Sequence, residues 1–502
     1  MRTWALLFLL LLFLFDDHGI NLPQVSASNE FIKSRGGHFM LNGDFYYANG
    51  FNAYWLMDVA SDLSRRNKVS SVFREAVSNG LTLARTWAFS DGGYQALQVS
   101  PGVYDERVFQ GLDFVIHEAR RHGIKLILSL VNNYEDYGGK NQYVKWARDQ
   151  GQNITSDDDF FSNPLVKGFY KKHVNTILTR RNSFTGVPYK DDNTIMAWEL
   201  INEPRCTSDP SGRTLQAWIK EMASYVKSVD KKHLLEVGLE GFYGESAPED
   251  KQFNLNFKTG TDFVANNQIT GIDFATIHMY PDQWLPGSDE KTQQTFSEKW
   301  IGKHIQGAET ILQKPLLITE FGWERSGFDR KTREHLLNTV FSDIYLSARR
   351  GGAAAGGMFW QLLTEGLDSY RDGYEIVFSE SPSIASLISD QSKQLVQLRE
   401  KYSRQRHMKK GGQTRDKVEI RQHPEKRGLK KIEYQTSYEA YSELHAAKRA
   451  CVEETTTTKN SGGYLWIWIK WMDAIVGGSG ATYYTECREF LCPGPQVKLG
   501  CS

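Results

Sequence analysis

The sequence predicts an α/β fold of the (β/α)8 TIM-barrel class, and three observations predict it. Eight short, β-prone apolar runs recur through roughly the first 400 residues, with segments of helical spacing between them. The runs are nearly continuous in apolar character rather than alternating, as expected of parallel strands covered on both faces. An open doubly wound sheet would instead carry a Gly-rich phosphate-binding turn after its first strand; none is present, and no P-loop occurs anywhere in the chain.

In order, the runs are Phe45 to Leu56, Leu81 to Phe89, Ile124 to Asn132, Thr194 to Pro204, His233 to Phe242, Asp273 to Pro281, Pro315 to Trp323 and Ala355 to Leu362. The clearest helix between them spans Val108 to Gly123. Val108, Leu112, Val115, Ile116 and Ala119 fall on one face there, and Gly123 supplies the C-cap.

Lys and Arg number 60 and Asp and Glu number 60, so no net charge points to nucleic acid or a membrane surface as partner. The N-terminus sets Arg2 ahead of an apolar run from Trp4 to Phe15, too short to span a bilayer core of about 30 Å. Small residues at Val25 and Ala27 complete the pattern of a secretory signal over residues 1–27, the alternative being an uncleaved anchor. The mature protein is therefore expected to be secreted, extracellular and monomeric. Cys206 stands alone, whereas Cys451, Cys487, Cys492 and Cys501 could form two bridges near the C-terminus. Asn153-Ile154-Thr155 is a candidate glycosylation sequon.

In a barrel the chemistry collects at the C-terminal ends of the strands. Arg85 and Trp87 end the second run, Asn132 and Asn133 the third, Asn202 and Glu203 the fourth, His278 and Tyr280 the sixth, Glu320 the seventh and Trp360 the eighth. Two carboxylates on such a ring, Glu203 and Glu320, are what glycosidic cleavage requires, with an expected separation of about 5–5.5 Å if the reaction retains configuration. Arg85 and Tyr280 are the expected partners of Glu320 and favour its ionised form, as suits a nucleophile. Burial and nearby negative charge are expected to raise the pKa of Glu203, the acid and base, which His278 positions. Asn202 would bind the sugar 2-hydroxyl and Trp360 would offer it a ring face. Either Glu could instead be a structural ion-pair partner, and Trp87 and Trp360 could be core aromatics. Glu199, a strand's length from the mouth, is read as the partner of a buried cation. No metal or other cofactor is required, and the His and Cys residues show no ligand spacing such as CxxC or HExxH.

ARTWAFSDG, WELINEPRC, IHMYPDQW, ITEFGW and MFWQL together resemble the plant endo-β-1,4-mannanases of glycoside hydrolase family 5, from about Asn29 to about Tyr402. That resemblance implies a retaining enzyme cutting internal β-1,4 linkages in mannan, glucomannan and galactomannan of cell walls or seed reserves. It also implies Glu203 as acid/base, Glu320 as nucleophile, Trp87, Asn202, Tyr280 and Trp360 as substrate-binding residues, and Arg85 and His278 as the surrounding shell. A barrel β-1,4-glucanase and a catalytically dead, carbohydrate-binding barrel are the alternatives.

The catalytic domain is thus assigned to 28–402 and a C-terminal extension to 403–502. Between Lys401 and Ala450 there are 14 Lys or Arg against 6 Asp or Glu, a net +8, with few apolar residues, which reads as largely disordered. A Trp- and Cys-rich segment follows. It could be a polysaccharide-binding module or a divergent end, and the basic run could hold the protein on acidic pectin.

Overall fold

The computed structural model describes residues 30–255, 257–324 and 330–412, and the backbone of two further strands, Tyr464–Gly477 and Gly480–Pro493. The proposed signal segment, residues 1–27, lies outside the described residues, as do the side chains of the Cys-rich end.

All eight predicted strands form, and all are parallel: β1 Ala48–Asn52, β2 Leu83–Trp87, β3 Lys125–Ser129, β4 Ile195–Glu199, β5 Leu234–Glu236, β6 Ala275–Met279, β7 Leu316–Phe321 and β8 Ala354–Phe359. The ladder runs β5-β4-β3-β2-β1-β8-β7-β6. Isolated backbone bonds close the remaining gap: Asp273 N donates to Leu235 O at 2.8 Å and His278 N to Glu240 O at 2.9 Å. Each strand is shorter than its apolar run, because the run continues into the loop that carries the site.

The helices that complete the eight strand-and-helix units are α1 Arg66–Ser78, α2 Glu106–His122, α3 Pro164–Thr179, α4 Arg213–Val229, α5 Phe263–Asn267, α6 Glu290–Gly307, α7 Arg330–Arg349 and α8 Pro382–Gly412. In α2 the five predicted face residues are buried, the Asp105 carboxylate caps the first turn, and Gly123 ends it at φ +69°. Gly fits there because the left-handed conformation carries no Cβ penalty.

Two apolar layers hold the barrel. Its outer wall packs against the helices through residues such as Trp55, Phe73, Trp198 and Trp218, all essentially solvent-free. A second cluster fills the interior below the mouth, with Ala48, Leu83, Ile127, Ala197, Leu234 and Leu317 contributed by six strands. Phe39, from the antiparallel sheet formed by Lys33–Arg35, His38–Leu41 and Asp44–Tyr46, plugs that cluster edge-on against Phe274 at 5.1 Å.

The last helix does not stop at Tyr402, the expected domain boundary. α8 continues to Gly412, and Ser403 and Arg406 bond to Asp44 and Gly43, because the polar face of the helix meets the N-terminal sheet there. By backbone contacts the first compact unit ends at Asp416. In the second unit, Tyr464–Gly477 and Gly480–Pro493 pair antiparallel in continuous register; the rest of the extension lies outside the described residues.

Candidate active site

At the C-terminal mouth the strands deliver the predicted residues to one place, and Arg85, midway along β2, is the hub. Its fully buried guanidinium grips Glu199 side-on (Nε to Oε2 2.6 Å, Nη2 to Oε1 2.7 Å). It also donates to Asn202 Oδ1 at 2.6 Å, Asn52 Oδ1 at 3.0 Å and Glu320 Oε1 at 2.5 Å. The Trp87 ring lies against it, 4.9 Å from centroid to Cζ. Glu199 thus pairs with a buried cation, as expected. It is not remote from the mouth, because the same cation carries on to the site.

Glu320 leaves β7 at an irregularity: Ile277 pairs with Ile318 but His278 pairs with Glu320, so Thr319 is an extra residue on β7. Such a bulge re-aims the following side chain. Tyr280, just past β6, donates its hydroxyl to Glu320 Oε2 at 2.6 Å. Glu203 sits in the loop after β4 at φ +49°, an uncommon conformation for a non-glycine residue. Its Oε1 shares a hydrogen bond with His278 Nδ1 at 2.5 Å, while the same nitrogen lies 3.6 Å from Glu320 Oε2.

One donor atom each from Glu203, His278 and Glu320 lies within 4.8 Å of the other two. Among the described residues this is the set of His, Cys, Asp or Glu close enough to ligate a cation. Each member is already engaged with its neighbours.

Burial pushes the Glu203 carboxyl up from the usual carboxylate range, against the pull of Arg205 and a hydrogen bond from Tyr134. Burial also pushes Glu320 up, against His278, Arg85 and the Tyr280 hydroxyl, and the charge of Glu203 adds to the rise. The expected stabilisation of ionised Glu320 is therefore present but outweighed by desolvation. Burial likewise lowers the pKa of His278.

Asn202 accepts from Arg85 and donates Nδ2 to Asn132 Oδ1 at 3.0 Å, which leaves one amide hydrogen for a ligand. Trp360 is half-buried, its indole Nε1 held by Asp372 Oδ2 at 2.7 Å and its ring stacked on Tyr54 at 5.5 Å and 9°. Trp87 is buried against Phe89 at 5.2 Å and lies 6.1 Å from Trp360; it supports the aromatic rim more than it lines it.

Several groups were not foreseen. Tyr134 bonds Glu203, Tyr54 underlies Trp360, Asp372 orients it, and Arg205 forms a two-pronged pair with Glu240 at 2.8 and 2.5 Å. Burial and then the charge of Glu203 push Glu240 up to about 7. All lie in loops beyond the strands; Tyr54 and Glu240 fall inside the first and fifth apolar runs and Arg205 inside WELINEPRC, whereas no periodicity marks Tyr134 or Asp372.

The protein-family model described as glycoside hydrolase family 5 β-mannosidase-like matches residues 29–367. Mannan endo-1,4-β-mannosidase 7 of Arabidopsis thaliana is 56% identical over 395 residues, 78% of this chain and 92% of that protein. Mannan endo-1,4-β-mannosidase 1 of Oryza sativa subsp. japonica is 57% identical over 396 residues, 78% and 91% respectively. Among solved structures, the endo-1,4-β-mannanase from Rhizomucor miehei aligns with a TM-score of 0.62 at 32% identity, over 73% of this chain and all of that one. The endo-β-1,4-mannanase from Thermotoga petrophila aligns at 0.61 and 34%, over 70% and 78%. With the barrel, the paired carboxyls and these matches in agreement, the chain belongs to glycoside hydrolase family 5, among its β-mannosidase-like members.

Proposed function

We propose that the protein is a retaining endo-hydrolase of internal β-1,4-mannosidic linkages in mannan, glucomannan and galactomannan. The observation that carries this reading is the pair of carboxyls, Glu203 and Glu320, with an oxygen of each within 4.8 Å of the other and His278 Nδ1 between them. That proximity fits direct attack on the sugar better than the wider gap an interposed water needs.

Glu320 bonds to the anomeric carbon while Glu203 gives its proton to the departing glycosidic oxygen. Glu203 then takes a proton from water, whose oxygen displaces Glu320 and frees the sugar. The first proton belongs on Glu203, because Glu320 has the direct ion pair with Arg85 and the Tyr280 hydroxyl. Asn202 holds the sugar 2-hydroxyl and Trp360 faces the ring. A sugar hydroxyl in place of that water would give transglycosylation.

Mannan as substrate is supported by the two plant relatives, both of which are named mannan endo-1,4-β-mannosidase. Secretion is supported by the apolar run behind Arg2 and by an exposed Asn153 in its sequon; no helix among the described residues is long and apolar enough to cross a membrane.

The test is reducing-sugar release from pure mannan, glucomannan and carboxymethylcellulose by the wild type and Glu320→Ala. Release is expected from the first two alone, with the substitution lowering it at least about 10³-fold. Equal release from carboxymethylcellulose, or products of inverted anomeric configuration, would overturn the reading.

A further inference from the structure

Beneath the site the barrel holds a carboxyl that the hydrolytic scheme leaves unused. Glu199 and Glu236 are the last residues of β4 and β5, directly opposite each other in the parallel register, and both are fully buried. Glu199 is occupied by the Arg85 fork. Glu236 Oε2 accepts from the Gly238 amide and, at 3.3 Å, from Thr276 Oγ1. Its Oε1 receives no hydrogen bond.

The backbone beside it is closely packed. Gly238 stands at φ +94°, where a Cβ would lie 1.9 Å from Ile201 O and 3.1 Å from Glu199 Cγ. The charged groups that face Glu236 are Glu199 from β4 and Arg85 from β2; β6 contributes the Thr276 hydroxyl. A buried acceptor without a donor is costly, and a proton on Oε1 removes that cost by making it a donor towards Glu199.

We propose that Glu236 is held protonated and donates to Glu199, which makes it a positioning residue that fixes the Arg85 guanidinium between Glu199, Asn202 and Glu320. Burial and then the charge of Glu199 both favour that proton, raising the Glu236 pKa well above the carboxylate range. Neutral Glu236 leaves Arg85 to balance two carboxylates. Ionised, it would set a third against the same guanidinium and loosen the grip on Glu320. The proposal rests on the reading of Glu320 as nucleophile.

The test compares wild type, Glu236→Gln and Glu236→Ala by infrared difference spectroscopy of the unliganded protein near pH 7, and by kcat and KM on soluble galactomannan. The Gln variant keeps a neutral donor of the same shape. It is expected to lose one protonated-carboxyl C=O band while kcat stays within about threefold, whereas the Ala variant loses roughly ten- to hundredfold in kcat with little change in KM. An unchanged carboxyl spectrum in Glu236→Gln, or a Gln variant as impaired as Ala, overturns the proposal. If the Ala variant fails to fold, the Gln variant's spectrum and kcat still decide. Should the wild type not hydrolyse galactomannan, the functional reading falls, while the infrared band still decides whether Glu236 holds its proton.

Discussion

At Glu203 the chain turns into the left-handed region, φ +49°, directly before Pro204. Backbone strain of this kind persists where surrounding bonds over-determine it; here the Glu203 amide donates to Gly238 O at 2.9 Å while the side chain meets His278. Glu320 is instead held along a strand edge by Arg85 and Tyr280. One residue type thereby serves two duties. Because burial raises Glu203, the acid form is present at low pH and lost as pH rises through that raised value. Activity should fall on the alkaline side through Glu203 and on the acid side as Glu320 takes up a proton. Glu203→Gln should therefore abolish the alkaline limb of the kcat/KM profile and cost about 10²–10⁴-fold, with an activated aryl leaving group restoring the first step. A retained alkaline limb would assign that proton elsewhere.

Between the strands, the loops that carry the aromatic rim are clasped by Asp91. Its backbone amide donates to Tyr137 O at 2.8 Å, its Oδ1 accepts from Gln98 at 3.0 Å, and a Cβ on Gly138 would lie 1.9 Å from its carbonyl oxygen. Tyr137 in turn packs edge-on against Tyr54 at 5.9 Å. Burial pushes the Asp91 carboxyl up to about 8. Its folded pKa exceeds the unfolded value, so its contribution to stability is present below about pH 4 and is lost as pH rises towards about 8, by at most ~1.4 kcal/mol per pH unit. Asp91→Asn should flatten that slope of Tm against pH; a slope equal to wild type would remove Asp91 as its cause.

The strands themselves were legible in the sequence because parallel strands covered on both faces are continuous apolar runs, and α2 was legible because its stripe and its Gly123 cap are local. Tyr134 and Asp372 were not. Each belongs to the site only through a partner on another loop, and nothing in its own neighbourhood says so. Glu199 was read correctly as an ion-pair residue and wrongly as remote, since its distance from the mouth is set by how far the Arg85 fork reaches.

For the molecule as a whole, α8 closes the barrel rather than trailing from it. Asn49 Nδ2 donates to Ile388 O at 2.9 Å and Ser392 Oγ at 2.8 Å, and Tyr402 reaches Arg349 O at 2.7 Å. A chain ending at Gly412 is expected to keep galactomannan hydrolysis within about twofold of the full-length protein, whereas one ending at Phe378 loses the buried Ile384, Ile388, Leu395 and Leu398, bares the core they cover and should not fold. Circular dichroism and reducing-sugar release on the two chains check this. Loss of both fold and activity in the longer one would give the extension a structural role.

By itself the sequence determined the eight strand-and-helix units, the side of the barrel where polar residues gather, and the residue types offered there. These follow from hydropathy and capping, which act over a few residues. The tertiary structure alone decided that Tyr54 and Trp360, from opposite ends of the barrel sequence, stack at 5.5 Å, and that Glu199 and Glu236 lie buried opposite each other. Such meetings depend on barrel closure and strand register, which bring together groups that have no local reason to be near.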